Sequence, residues 1–239
     1  MRISDHAKAR IDWPLALRPG KLAAPPFRVY AVARERNEGS LRALAGQAEG
    51  RLVLRSLDEG HGRKFDLVDA MAREQPPDPD EWLVVADDDI RLVRGDLARF
   101  VAIADAAGFD LAQPALDRRG KVTSGITVSR PLTRARLTSF VEFGPVFAIR
   151  PAVRDVVTAT FAGSGLGWGL RRVWHSLEPP LRLGIVDEVR VLRRNAPDDE
   201  AEAAEARLEM YRTWERHGLV DGQQPEYTYR SWRAWQRIP

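Results

Sequence analysis

The chain has 239 residues, 44% of them hydrophobic and 30% charged, which is enough apolar material for one domain with a sizeable core and excludes disorder as its default state. It holds no cysteine, so disulfides, thiolate metal sites and cysteine nucleophiles are excluded, and no run approaches the roughly 20 apolar residues of a membrane-crossing helix. The formal net charge of +3 suits an anionic partner, but the basic residues are spread along the chain rather than gathered into blocks, so charge alone selects no partner.

Residues 1–26 read as a polar lead-in, interrupted by Pro14 and Pro19 and without the apolar stretch of a signal peptide, which leads us to expect a cytoplasmic protein. The apolar run Phe27 to Ala33 predicts a strand, followed by the loop Arg34 to Asn37 and a helix from about Gly39 to Ala48. A second unit repeats the order: a strand over Arg51 to Leu54, the loop Leu57 to Gly62, and a helix from about Arg63 to Arg73, stopped by Pro76, Pro77 and Pro79. The third strand, Trp82 to Ala86, runs into Asp87, Asp88 and Asp89, and Asp96 stands where an N-cap would open a helix to Ala107. Shorter strands are expected near Leu111 to Ala115, Ile126 to Val128, Pro145 to Ile149 and Leu183 to Leu192, with helices over Ala152 to Phe161 and Trp168 to Leu177. Alternation of strand and helix predicts an α/β fold in a single domain, with a mixed, mainly parallel central sheet and helices on both faces. A terminal helix over Asp198 to His217, stopped by Gly218, precedes a tail rich in arginine and aromatic residues that either packs on its own domain or touches a membrane surface.

The three aspartates are the densest chemical signal. Side chains alternate along a strand, so Asp87 and Asp89 should share one side and Asp88 take the other. Like charges that close need a cation or several donors to stay ionised, and an all-oxygen site suits Mg or Mn. The competing reading is a solvated turn leading into the next helix. In open parallel sheets ligands bind beyond the carboxyl ends of the strands, where the Arg34 to Asn37 loop, the Leu57 to Gly62 loop and these acids would converge.

Four later blocks give the pattern a family likeness: Ala112-Gln113-Pro114-Ala115-Leu116-Asp117, Phe140-Val141-Glu142-Phe143-Gly144-Pro145-Val146-Phe147, Gly167-Trp168-Gly169-Leu170 and Gly184-Ile185-Val186-Asp187. With the Asp-rich strand end, residues 27–193 resemble GT-A-fold glycosyltransferases, and the blocks look like those of a group of predicted glycosyltransferases shared by bacteria and plants. The resemblance implies a GT-A-like, Rossmann-like domain over 27–195, with a nucleotide-binding half at 27–115 and an acceptor half at 116–195, followed by a C-terminal helix and tail at 196–239. It implies that Asp87 and Asp89 act as a DxD motif on Mn or Mg, Asp89 by direct coordination and Asp87 through the ribose or the metal's water. Donor contacts are expected from Ala33, Arg34, Asn37, His61, Arg63, Lys64, Asp87, Asp88 and Trp168, the last also being able to stack on an acceptor sugar. Glu142 first, and Asp187 second, are the candidates for the acid that deprotonates an acceptor hydroxyl or touches the donor sugar; a structural ion pair is the alternative for Glu142.

The chain departs from the family pattern at Arg171, where an acid commonly follows the Gly-Trp-Gly-Leu block, and at Arg193 and Arg194, where a metal-binding histidine is often found. Either an arginine takes over part of the metal's charge on the diphosphate, or the chain is a degenerate relative. The function implied is transfer of a sugar from a nucleotide-sugar to a glycan or glycolipid acceptor, as in surface polysaccharide assembly at the inner face of a membrane, with no nucleic acid partner. A metal-dependent nucleotidyltransferase and a catalytically degenerate glycan- or nucleotide-binding protein are the alternatives.

Overall fold

A computed structural model describes residues 22–34, 41, 51–56, 63–193, 200–220 and 226–238. The strands are β1 (Phe27–Ala33), β2 (Arg51–Ser56), β3 (Trp82–Asp87), β4 (Ile90–Arg94), β5 (Leu111–Leu116), β6 (Thr133–Thr138), β7 (Val146–Ile149), β8 (Leu183–Arg193) and β9 (Thr228–Arg233). The helices are α1 (Lys64–Glu74), α2 (Leu97–Ala106), α3 (Arg154–Ala159), α4 (Leu170–Ser176) and α5 (Glu200–Arg216). One sheet runs in the order β2-β1-β3-β7-β5-β8-β6-β9, with β4 also paired to β8. The α/β class, the mixed sheet and the single domain are therefore as expected.

Parallel pairing joins β1 to β2, β1 to β3 and β5 to β8, while the other five pairings among the described strands are antiparallel. The parallel character is thus strongest in the first half, where α1 lies between β2 and β3 in the chain and packs on a face of the sheet. Helices cover both faces. On one, Phe65, Val68 and Met71 of α1, with Phe161 and Trp174, pack on Tyr30, Val85 and Phe147. On the other, Leu97, Phe100 and Val101 of α2 pack on Val29, Val84 and Val186. Asp96 caps α2 as expected, its side chain accepting the Arg99 amide at 2.7 Å, which contributes about 1 kcal/mol.

Several predicted boundaries moved for definable reasons. The expected strand at Ile126 to Val128 is a 3-10 turn over Gly125–Thr127, because the Arg136 guanidinium takes the carbonyls of Ile126 at 2.7 Å and Val128 at 3.1 Å that a neighbouring strand would have used. The helix expected from Trp168 starts at Leu170, since Gly169 at φ 95° has a left-handed backbone. Gly167 before it faces Phe65 so closely that a Cβ would stand 2.2 Å from the ring, which fixes a glycine there. Strands β4, β6 and β9 were not anticipated. The helix expected over Gly39 to Ala48 lies almost wholly outside the described residues.

The tail beyond α5 is built into the domain. β9 pairs antiparallel with β6 at the edge of the sheet, and Trp232 is buried against Phe109 with ring centroids 5.7 Å apart. No helix among the described residues is long and apolar enough to cross a membrane.

Candidate functional site

Strand β3 ends at Asp87, and Asp88 and Asp89 form the turn that sends the chain into β4. Each of the three acids meets a different base. Asp87 forms an ion pair with Lys64, the first residue of α1, whose ammonium also donates to the Phe143 carbonyl at 2.9 Å. Asp88 turns to the end of β1, accepting the Arg34 amide at 3.0 Å and its guanidinium at 3.1 and 3.2 Å. Asp89 accepts from Arg193 Nε at 3.2 Å, at the last residue of β8.

Asp89 is the exceptional member. It is buried, and its Oδ1 has no hydrogen-bond partner among the described residues. Burial raises its pKa above the ordinary carboxylate value, the charge of Asp87 adds to that rise, and Arg193 opposes it. An orphaned buried carboxylate oxygen is costly to keep, which makes it a place where a ligand is expected to supply what the protein does not.

The segment Glu142 to Pro145 closes over this acid cluster. The Asp87 amide donates to the Pro145 carbonyl at 2.8 Å, and a Cβ added to Gly144 would stand 2.7 Å from Asp87 Oδ2. Glu142 lies over β5, its amide donating to Gln113 Oε1 at 2.6 Å, and its carboxylate accepts from Thr123 Oγ1 at 2.5 Å. Burial lifts the Glu142 pKa to about 7, against the pull of Thr123, Arg193 and Arg171. It is thus a carboxyl able to take or give a proton at neutral pH. Trp168 is half-buried and tilts against Phe143, with ring centroids 6.2 Å apart, so it stands at the same mouth.

No family model and no curated protein matches the chain at the sequence level. Among solved structures, it is similar to GalNAc-T7 crystallised with UDP, GalNAc and Mn2+, with a TM-score of 0.48 and 11% identity over 73% of this chain and 44% of that one. A mycobacterial protein gives a TM-score of 0.49 with 16% identity over 82% and 76% of the two chains. The inositol-1-phosphate CTP transferase from T. maritima gives 0.35 with 9% identity over 81% and 78%. The chain spans less than half the length of the first of these.

Of the residues expected at the site, the structure brings together Lys64, Asp87, Asp89, Glu142 and Trp168, with Arg34 and Asp88 at the rim. Ala33 is fully buried at the end of β1 and offers only its backbone. Asn37 and His61 lie outside the described residues. Arg63 turns its guanidinium to α5, pairing with Glu209 at 2.9 Å and with Glu205. Glu209 in turn accepts the amides of Leu166, Gly167 and Trp168 at 3.0, 2.9 and 3.2 Å, so this cluster fastens α5 to the Gly-Trp-Gly loop rather than to a donor.

Asp187 is corrected. Its side chain is sealed from solvent, forks onto Arg136 at 2.8 and 3.0 Å and accepts the Arg130 amide at 2.8 Å, leaving no lone pair facing the crevice. This is an internal ion pair that holds β6 to β8. Asp187→Ala is expected to cost about 3–5 kcal/mol in urea unfolding, because Arg136 would be left buried without a counter-charge. A loss below about 1 kcal/mol would sink the structural assignment.

The two departures from the family pattern acquire partners. Arg193 stands on Asp89, and Arg171 lies 3.9 Å from Glu226, an acid contributed by the far end of the chain. Glu226, Thr123 and Gln113 were not anticipated as site residues, since each is a common polar residue with no motif around it. Among the described residues no three acid or histidine side chains cluster as a complete metal shell. The residues present do fit a half-shell: Asp89 Oδ1, unpartnered, with Asp87 beside it, would leave the remaining positions of an oxygen-loving cation to phosphate and water.

Proposed function

We propose that the chain transfers a sugar from a nucleoside diphosphate sugar to a hydroxyl of a glycan or glycolipid. The observation that carries this reading is the unpartnered, buried Asp89 Oδ1 beside Asp87, with Glu142, of pKa about 7, on the segment that closes over them. Mn or Mg, held by Asp89 and Asp87, would supply Lewis-acid stabilisation to the departing diphosphate. Lys64 and Arg193 neutralise the acids beforehand and stand ready to turn to phosphate oxygens, so charge on the leaving group is met without a proton transfer. Glu142 takes the proton of the acceptor hydroxyl as its oxygen bonds to the sugar carbon, and the electron pair of the sugar–phosphate bond leaves with the nucleoside diphosphate. Arg34, fixed by Asp88, shapes the wall at the end of β1.

A thermal-shift and calorimetric screen of UDP, GDP, CMP and dTDP sugars, with and without Mn, tests this. At least one nucleoside diphosphate sugar is expected to bind in a Mn-dependent way and to stabilise the fold by about 2.7 kcal/mol at a hundred times its Kd. Release of pyrophosphate from a nucleoside triphosphate in the presence of a sugar phosphate, with no nucleoside diphosphate released from any sugar nucleotide, would make the protein a nucleotidyltransferase. No binding to any of the panel would end both readings.

A further inference from the structure

Thr123 and Ser124 are consecutive residues whose hydroxyls serve two different carboxylates. Thr123 Oγ1 donates to Glu142 at 2.5 Å, while Ser124 Oγ donates to Glu226, whose other oxygen lies 3.9 Å from Arg171. The start of β9 is thereby tied to the neighbourhood of Glu142. Directly after Glu226 come Tyr227 and Tyr229, 43% and 55% exposed, two of the most exposed aromatic residues described.

The pair is held in one arrangement. Their rings meet edge to face with centroids 4.5 Å apart, and the Tyr229 hydroxyl donates to that of Tyr227 at 2.6 Å. The backbone under them is fixed too: the Tyr227 amide donates to Ser139 Oγ and the Ser139 amide to the Tyr227 carbonyl, both at 3.0 Å. The backbone places the rings: Tyr227 pairs with Ser139, three residues before Glu142, while β9 is bulged at Tyr229, between the Leu137–Arg230 and Thr138–Thr228 pairs, and Ser231 is in register with Arg136, which reaches the 126–128 segment beside Ser124. Exposed aromatics that pack on each other instead of in the core, beside the segment that leads to Glu142, are unexplained by folding.

We propose that Tyr227 and Tyr229, with Glu226 and Arg171 at their inner edge, form an acceptor subsite whose ligand is a saccharide. This rests on the transferase reading above. A saccharide presents both faces of chemistry that the patch offers. The C–H face of a sugar ring packs on an aromatic face, and its hydroxyls find a carboxylate, a guanidinium and two phenols around the rim. A lipid chain would need a continuous apolar surface, whereas this one is interrupted by Glu226, Arg230 and Arg233. Pre-ordered rings lose little freedom on binding, so the contacts convert efficiently into affinity. A sugar seated there extends toward Thr123 and Glu142, which is where a reacting hydroxyl is needed.

The test uses the whole chain and a panel of methyl glycosides and tetraoses of glucose, galactose and mannose, followed by calorimetry and saturation-transfer NMR in parallel with Mn-dependent binding of the nucleotide-sugar panel. At least one saccharide is expected to bind wild type. Tyr227→Ala with Tyr229→Ala should weaken it about tenfold or more while nucleotide-sugar binding stays within about twofold, and the double Phe variant, which keeps the rings, should retain most of the affinity. Unchanged saccharide affinity in the double Ala variant overturns the proposal. So does a protein that binds nucleotide sugars but no saccharide, or one that binds vesicles of phosphatidylcholine and phosphatidylglycerol through these tyrosines and no saccharide. Saccharide binding lost with the tyrosines in a protein that binds no nucleotide sugar would keep the subsite and remove the transferase reading instead.

Discussion

Asp89→Asn is expected to abolish Mn-dependent binding of nucleoside diphosphates and to lower turnover by about 10²–10³-fold, without destabilising the unliganded protein. The two halves of this result have one cause. In the wild type Asp89 is buried beside Asp87 with one oxygen unpartnered, and burial raises its pKa above the ordinary value. For a group whose folded pKa is raised, stability is fully present below the unfolded pKa and is lost as pH rises through the folded one. At neutral pH the ionised form is therefore a cost to the fold, opposed in part by Arg193. Asparagine keeps the shape and an acceptor for Arg193, removes the like charge beside Asp87, and removes the anionic ligand. Melting temperature should hold or rise while Mn titrations in the presence of nucleoside diphosphate lose their signal. Mn-dependent affinity equal to wild type would remove the metal half-site from the mechanism. A large fall in melting temperature with normal binding would make Asp89 a structural partner of Arg193 alone.

The acid cluster and the order of the first three strands were legible because each signal is local. An apolar run names a strand, and three aspartates behind it name its carboxyl end. Among the strands that escaped notice, β6 has a definable reason. β6 reads Thr-Arg-Ala-Arg-Leu-Thr, and its two arginines look like solvent-facing positions. Both are buried. Arg134 pairs with Glu188 and Arg136 with Asp187, and neither partner is near in sequence. Buried ion pairs invert the usual meaning of a charged residue, so hydrophobic periodicity fails wherever they occur. The same inversion misassigned Asp187 as a candidate base: a carboxylate among apolar residues is equally the mark of a catalytic group and of an internal pair, and only the position of Arg136 separates them. The pairing of Arg63 was hidden for a related reason, because Glu209 lies on a helix 146 residues away. Glu142 was legible as chemically unusual, but its tuning comes from burial, opposed by Thr123, Arg193 and Arg171, none of which is near it in sequence.

Glu142→Gln is the variant in which stability and activity should move most clearly apart. Burial lifts the wild-type carboxyl from 4.5 to about 7, a change worth about 3 kcal/mol between its two protonation states. Below pH 4.5 the side chain is neutral in folded and unfolded chains alike and contributes its full share to the fold. Between about 4.5 and 7 the unfolded chain gives up the proton while the folded one keeps it, so stability falls as pH rises, and above about 7 the loss is complete. Glutamine has nothing to ionise. Its melting temperature should match wild type near pH 4.5 and exceed it at pH 8 by about 10 °C, given roughly 2–4 °C per kcal/mol for a domain of this size. Turnover should move the other way. A general base works only when deprotonated, so wild-type kcat/KM is expected to rise with pH to a plateau above about 7, and the variant to lose about 10²–10⁴-fold on that plateau while still binding nucleoside diphosphate. If the variant keeps wild-type turnover, the proton leaves by another route. If it gains no stability at pH 8, the carboxyl is held ionised by its basic neighbours, and the rise of kcat/KM should then be complete well below pH 7. The gain at high pH matters most to the functional reading: a residue whose replacement strengthens the fold and silences the chemistry is being kept for the chemistry.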